Sequence, residues 1–169
     1  MTFAELNALD ATAFTAALGA TFEHSPWVIA RTHAAGPFAS VEALHRALMD
    51  TVHRASSDEQ LALLRAHPEL AGKAAIRGEM TADSVSEQTR AGLSQCSPEE
   101  FARLTDLNAR YNARFGFPFI LAVKGYDRAG IIDQFARRVE NDRATEFAEC
   151  LAQVARIARF RLEALIRES

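Results

Sequence analysis

An imidazole stands directly before a proline in His67-Pro68-Glu69-Leu70-Ala71-Gly72-Lys73, and that placement suits a proton donor. The residue preceding proline is biased away from the α region. His67 is therefore predicted at a break between two helical segments, with its ring facing a cleft and not a neighbouring turn. Arg161 is the second unusual residue. At about 100° per residue it falls within the apolar stripe of Phe147, Leu151, Val154, Ala158 and Leu165. An inward guanidinium keeps its charge and needs a carboxylate or an anionic ligand. The alternative is a tilted helix from which Arg161 snorkels to water along its aliphatic stem.

Glu87 and Gln88 offer a carboxylate and an amide near a helix start, where the macrodipole favours negative charge. Ser84-x-x-Glu87 also fits a simple capping box, so Glu87 has a structural reading beside the catalytic one. What favours chemistry is the combination. An inward arginine, a helix-end histidine and an exposed amide suit a carboxylated, nitrogen-rich small molecule.

The remaining histidines, His24, His33, His45 and His53, show no H-E-x-x-H or other compact ligand pattern, and no acidic cluster accompanies them at metal-site spacing. They are assigned to surface or core packing, and no metal is expected. Neither a G-x-G-x-x-G loop, a Walker sequence nor a G-x-S-x-G elbow occurs, which disfavours phosphoryl transfer and acyl-enzyme chemistry. Trp27, after Ser25-Pro26, is expected to anchor a core.

The elements that must position these residues read as helices almost throughout. Ser25-Pro26 opens a segment ending at Gly36-Pro37, Ser40 opens the next, and Ser57-Asp58 opens one reaching Ala66. Ser84-x-x-Glu87 and Ser97-x-x-Glu100 predict two further starts on either side of Gly92. The segment from about Arg143 to Arg167 is the longest helix. Between Phe115 and Gly125 the run Phe-Gly-Phe-Pro-Phe-Ile-Leu-Ala-Val-Lys-Gly predicts an extended, buried connector leading into a short helical turn. Its backbone polar groups need partners, supplied either by a polar ligand or by neighbouring side chains. The predicted fold is all-α: a single-domain helical bundle over 1–169 of about seven to eight helices with a long C-terminal helix.

Composition sets the outer bounds. A chain of 169 residues, 49% apolar, is long enough to bury roughly two-thirds of its unfolded surface in one domain. A formal charge of -3 with interspersed signs lacks the clustered excess of cations that nucleic acid requires, so a small partner is expected. Arginine outnumbers lysine 17 to 2, a bias of base composition that limits what any one arginine proves. Cys96 and Cys150 suggest neither a disulfide framework nor a zinc knuckle. With no leader pattern, no apolar run near 18 residues and the ending Arg167-Glu168-Ser169, a cytoplasmic protein without a membrane partner is expected.

Taken in order, five motifs resemble the 2-oxo-4-hydroxy-4-carboxy-5-ureidoimidazoline (OHCU) decarboxylase family over nearly the whole chain. They are Glu23-His24-Ser25-Pro26-Trp27 followed by Gly36-Pro37-Phe38; Arg65-Ala66-His67-Pro68-Glu69-Leu70-Ala71-Gly72-Lys73; Ser84-Val85-Ser86-Glu87-Gln88; Tyr111-Asn112-Ala113-Arg114-Phe115-Gly116-Phe117-Pro118-Phe119-Ile120; and Ile157-Ala158-Arg159-Phe160-Arg161-Leu162. The approach to Ser84, Gly78-Glu79-Met80-Thr81-Ala82-Asp83, is a shorter, Ala-rich variation.

The resemblance implies an all-α fold, a homodimer, no cofactor, and decarboxylation of OHCU to (S)-allantoin in urate degradation. It further implies that His67 is the catalytic proton donor with Glu87 and Arg161 as essential partners. Pro68, the segment Ser84, Val85, Ser86, Glu87 and Gln88, and the segment Phe119, Ile120, Leu121, Ala122 and Val123 would line the substrate pocket. Two other classes stand against this reading. A non-catalytic helical module for ureide-type ligands would give His67 and Arg161 structural roles, and a metal-dependent hydrolase would use the scattered histidines.

Overall fold

The computed structural model describes residues 1–72 and 80–167. Lys73, Gly78 and Glu79 lie outside the described residues, as do Glu168 and Ser169. Nine α-helices occur among the described residues: α1 (Phe3–Asn7), α2 (Ala11–Leu18), α3 (Pro26–Thr32), α4 (Val41–Arg54), α5 (Ser57–Ala66), α6 (Ala82–Arg90), α7 (Pro98–Phe115), α8 (Arg128–Arg138) and α9 (Arg143–Leu165). Those residues contain no strand, so the all-α expectation holds. The count exceeds the predicted seven to eight. One reason is α1, whose five residues are stabilised by a Thr2/Glu5 capping box too short to show a periodic stripe.

The chain divides into two compact units, Met1–Ala66 with Ala155–Ser169, and His67–Val154. In the first, α4 shows how pattern becomes packing. Ser40 accepts the Ala43 N–H at its start, and Val41, Leu44, Leu48, Met49 and Val52 form its buried face. The His45 ring lies 2.7 Å from the Ala155 carbonyl, and Arg159 pairs with Glu42. His33 packs edge-on against Phe14, and His24 and His53 are exposed, in line with packing and surface roles.

Helix α5 runs from Ser57 to Ala66 as expected, capped by Ser56, whose hydroxyl accepts the Glu59 N–H while the Glu59 carboxylate accepts the Ser56 N–H. One local expectation in this unit is corrected. Trp27 is half-buried and not a core anchor. Val28, Ile29 and Thr32 take the inward face of α3, which leaves the indole lateral, with the Arg31 guanidinium 4.7 Å above its ring.

The second unit holds the predicted connector. Helix α7 begins with the expected Ser97/Glu100 capping box and ends at Gly116, whose φ of 77° is the left-handed conformation of a helix stop. Residues 117–123 then run without helix, buried throughout. A turn closed by Tyr126 N–H on the Val123 carbonyl follows. The expected short helical turn is instead the eleven-residue α8, because Asp127 accepts the Gly130 N–H and caps it.

Ser84 is likewise not the start of its helix. Thr81 caps α6, its hydroxyl accepting the Ser84 N–H. Threonine is also a favoured N-cap, though a weaker one than serine, and the earlier register moves Glu87 into the second turn.

Candidate active site

His67 directly follows the last residue of α5, as the proline predicts, and is half-buried, while Pro68 is buried. The turn after them is tight. Ala71 adopts φ 51°, a left-handed conformation that a residue with a Cβ takes only when its surroundings hold it there. Gly72 approaches so closely that an added Cβ would lie 2.5 Å from Glu69 Cβ.

Helix α6 turns Ser84 and Gln88 inward, leaves Ser86 and Glu87 half-buried, and exposes Val85. Gln88 is not the exposed amide that the sequence suggested. At 8% exposure, its Oε1 accepts the Ala71 N–H at 3.0 Å, and its Nε2 donates to the Glu69 carbonyl at 3.2 Å and faces Met80 Sδ at 3.4 Å. Its place four residues after the inward Ser84 accounts for this, since i and i+4 share one face of a helix. The segment carrying Glu87 and the turn following His67 are thereby tied together.

Two asparagines of α7 complete the hold. Asn108 Nδ2 donates to the Leu70 carbonyl at 3.0 Å, and Asn112 Nδ2 donates to the Glu69 carboxylate at 2.5 Å. Neither asparagine was singled out from sequence by its own chemistry. The available signal was an amide pair at i, i+4 within the stripe Leu104, Leu107, Tyr111 and Phe115, which are buried.

Arg161 lies in the other unit, turned inward with 7% exposure, so the snorkelling alternative is not the one adopted. Its Nη1 donates to the Ala20 carbonyl at 3.0 Å and lies 3.4 Å from Glu23 Oε2. Glu23 is itself buried. Removing both charges from water is costly, and the pairing offsets that cost. Glu23 entered the sequence reading only as part of a motif; its partnership with Arg161 crosses 138 residues and has no local signature.

The connector residues Phe119, Ile120, Leu121, Ala122 and Val123 are all buried. Phe119 stacks on Phe135 at 3.9 Å. For three backbone atoms, side chains supply the partners: Arg138 Nη1 donates to the Ile120 carbonyl at 2.7 Å, Gln153 Oε1 accepts the Ala122 N–H at 2.9 Å, and the Cys150 thiol faces the Pro118 carbonyl at 3.8 Å.

Beneath the connector, Glu146 Oε1 accepts from Arg138 Nε at 2.9 Å and from the Tyr111 hydroxyl at 2.5 Å, and Asn141 reaches its other oxygen. Burial, followed by the Cys150 and Glu146 neighbours, pushes the Tyr111 phenol far above its ordinary range. Burial also raises the Cys150 thiol. Burial opposes the Arg138 charge, yet the surrounding acidic groups carry its net shift upward. This cluster holds backbone and carries no exposed nucleophile.

Among the described residues no group of three or more His, Cys, Asp or Glu side chains could hold a metal ion, and no helix is long and apolar enough to cross a membrane.

The histidine-bearing turn and the carboxylate-bearing helix are thus joined within one unit of an all-α fold. The family model described as OHCU decarboxylase matches residues 7–163. The chain is 42% identical to the uric acid degradation bifunctional protein PucL of Bacillus subtilis, over 99% of this chain and 33% of that protein. It is 41% identical to the 2-oxo-4-hydroxy-4-carboxy-5-ureidoimidazoline decarboxylase of Halalkalicoccus jeotgali, over 98% of this chain and 92% of the relative. The crystal structure of an (S)-allantoin synthase superposes with a TM-score of 0.76 at 28% identity, covering 98% of this chain and 54% of that one. The chain thus spans a third of the Bacillus protein and about half of the allantoin synthase chain. It belongs to the OHCU decarboxylase family.

Proposed function

We propose that this protein decarboxylates 2-oxo-4-hydroxy-4-carboxy-5-ureidoimidazoline to (S)-allantoin, in the degradation of urate, as a cofactor-independent carboxy-lyase. The observation that carries the reading is the near full-length likeness, over both partners, to a decarboxylase of that substrate. The family match also runs through both compact units, which supports treating 1–169 as one functional domain. The family resemblance supports a homodimer, and a cytoplasmic setting completes the reading.

The substrate's own chemistry makes a cofactor unnecessary. A C=N bond lies beside the carbon bearing carboxylate and hydroxyl, so the electron pair released with carbon dioxide moves into that bond and needs no pyridoxal or thiamine sink. The protein must hold the ring, stabilise charge where it develops and deliver a proton to one face. In this reading Glu87 and His67 engage the hydroxyl and carboxylate region, and Arg161 neutralises developing negative charge. His67 donates the proton that sets the stereocentre. Pro68, Ser84 to Gln88 and Phe119 to Val123 line the pocket. The Gln88 bonds to Ala71 and Glu69 support the pairing of His67 with Glu87, since they join the two segments.

The test is to generate the unstable substrate from urate with the two upstream enzymes and follow product circular dichroism. Fast formation of optically active allantoin is expected, reduced about 10²- to 10⁴-fold in His67→Asn with its helical spectrum retained. A trace matching the protein-free control would leave a helical binding module for ureide-type ligands as the better reading.

A further inference from the structure

We infer that Asn108 and Asn112, with the Gln88 amide, form a cradle that positions His67 through the Glu69–Ala71 turn, and that both asparagines are positioning residues for the decarboxylation. The inference rests on the proton-donor reading of His67 for its effect on turnover, and on geometry alone for its effect on the imidazole.

Three amide side chains from two helices converge on three consecutive residues. Gln88 of α6 engages Glu69 and Ala71, Asn108 of α7 engages Leu70, and Asn112 engages the Glu69 carboxylate. Four polar groups of the turn, the Glu69 carbonyl and carboxylate, the Leu70 carbonyl and the Ala71 N–H, are each met by a side-chain amide. Asn112 also donates to the Asn108 carbonyl at 2.9 Å, and the amide is thereby aimed at Glu69.

Two features show that the turn is held at a cost. Ala71 keeps a left-handed φ of 51°, a state that neighbouring bonds must over-determine. Asn108, with 6% exposure, leaves its buried Oδ1 without a partner among the described residues while its Nδ2 stays on Leu70. A buried amide with one end unmet is unfavourable by itself; here it is retained where it fixes the backbone.

Pro68 stands between His67 and the cradle, and its ring locks φ. Displacement of Glu69 or Leu70 is therefore transmitted to the histidine with little slack. A misplacement of about 1 Å is enough to lower a rate about 10²-fold.

The experiment compares Asn112→Leu and Glu69→Leu, which break the α7 contact, with Glu69→Gln, whose amide oxygen still accepts from Asn112. Thr105→Ala, on the exposed side of the same helix, serves as a control for helix weakening. Each variant is measured for kcat and KM by the dichroism assay and for the His67 ring resonances by NMR, assigned with His67→Asn.

Asn112→Leu and Glu69→Leu are expected to shift the His67 resonances and to lower kcat by about 10- to 100-fold, with KM within about twofold. Glu69→Gln and Thr105→Ala should leave both near the unsubstituted values. His67 resonances unmoved in both leucine variants, whatever their stability, would overturn the cradle. So would an equal shift in Thr105→Ala. Moved resonances with unchanged kcat would overturn the positioning role in the decarboxylation, while the His67→Asn rate tests separately whether His67 is the proton donor.

Discussion

Arg138 joins Glu146 and the connector in a single side chain: Nε lies 2.9 Å from Glu146 Oε1, while Nη1 donates to the Ile120 carbonyl. The guanidinium also sits 4.3 Å over the Phe119 ring. A buried ion pair thus fixes irregular backbone where no helix could do so.

Breaking this pair from one side should be severe. In Arg138→Met the Glu146 carboxylate stays buried with its main cation gone, and denaturant unfolding should show a loss of about 3–5 kcal/mol. Arg138→Met with Glu146→Leu should recover part of that loss, since no charge is then stranded. A single variant within about 0.5 kcal/mol of the unsubstituted protein would show that the pair does not support the connector.

The Tyr111 phenol should stay protonated for as long as the protein is folded. Its folded value is raised above the ordinary 10.0, and that of Cys150 above 9.0. The unfolded chain therefore releases these protons first as pH rises, and the stability they contribute, complete below their ordinary values, is lost above them. In a Tyr126→Phe background, the rise of phenolate absorbance in an alkaline titration should coincide with loss of helical dichroism. Ionisation that precedes unfolding would contradict the burial of Tyr111.

The fold class and the starts of α3, α4, α5, α7 and α9 were legible because they are written locally, in caps and in stripes at helical spacing. Ser40, Ser97 and Gly116 act as their sequence contexts indicate. The start of α6 was misplaced by three residues because Thr81 and Ser84 are both acceptable caps, and tertiary packing of Gln88 favours the earlier one. Histidine before proline marked the turn at His67. The amides that hold it were not legible, because Asn108 bonds a carbonyl 38 residues away and a side chain aimed at distant backbone has no short-range pattern. Glu23 and Arg138 escaped for the same reason: their partners are chosen by the fold.

The acid side should be governed by surface carboxylates. Hydrogen bonds from Arg159 lower Glu42, those from Arg31 lower Glu59, and the Ser97 N–H followed by Arg128 lowers Glu100, each from an ordinary 4.5. A depressed carboxylate contributes stability that is present above its unfolded value and lost as pH falls through the folded one. Thermal unfolding should therefore be flat from about pH 7 to 5.5 and decline below about 4.5. Arg31→Ala should decline less steeply, since Glu59 then keeps only the Ser56 N–H to lower it and differs less between states. An unchanged slope would remove this pair from the acid response.

Arg161 and Glu23 allow structural and chemical roles to be separated within one pair. Arg161→Met leaves a buried carboxylate and should cost about 3–5 kcal/mol, so loss of turnover in that variant alone would be ambiguous. Arg161→Met with Glu23→Leu strands no charge and should regain much of the stability in denaturant unfolding. Turnover should nevertheless remain lost, because the cation proposed to meet the substrate's developing charge is still missing. Recovery of turnover together with stability would assign Arg161 to holding Glu23 in the fold and leave charge stabilisation to another group.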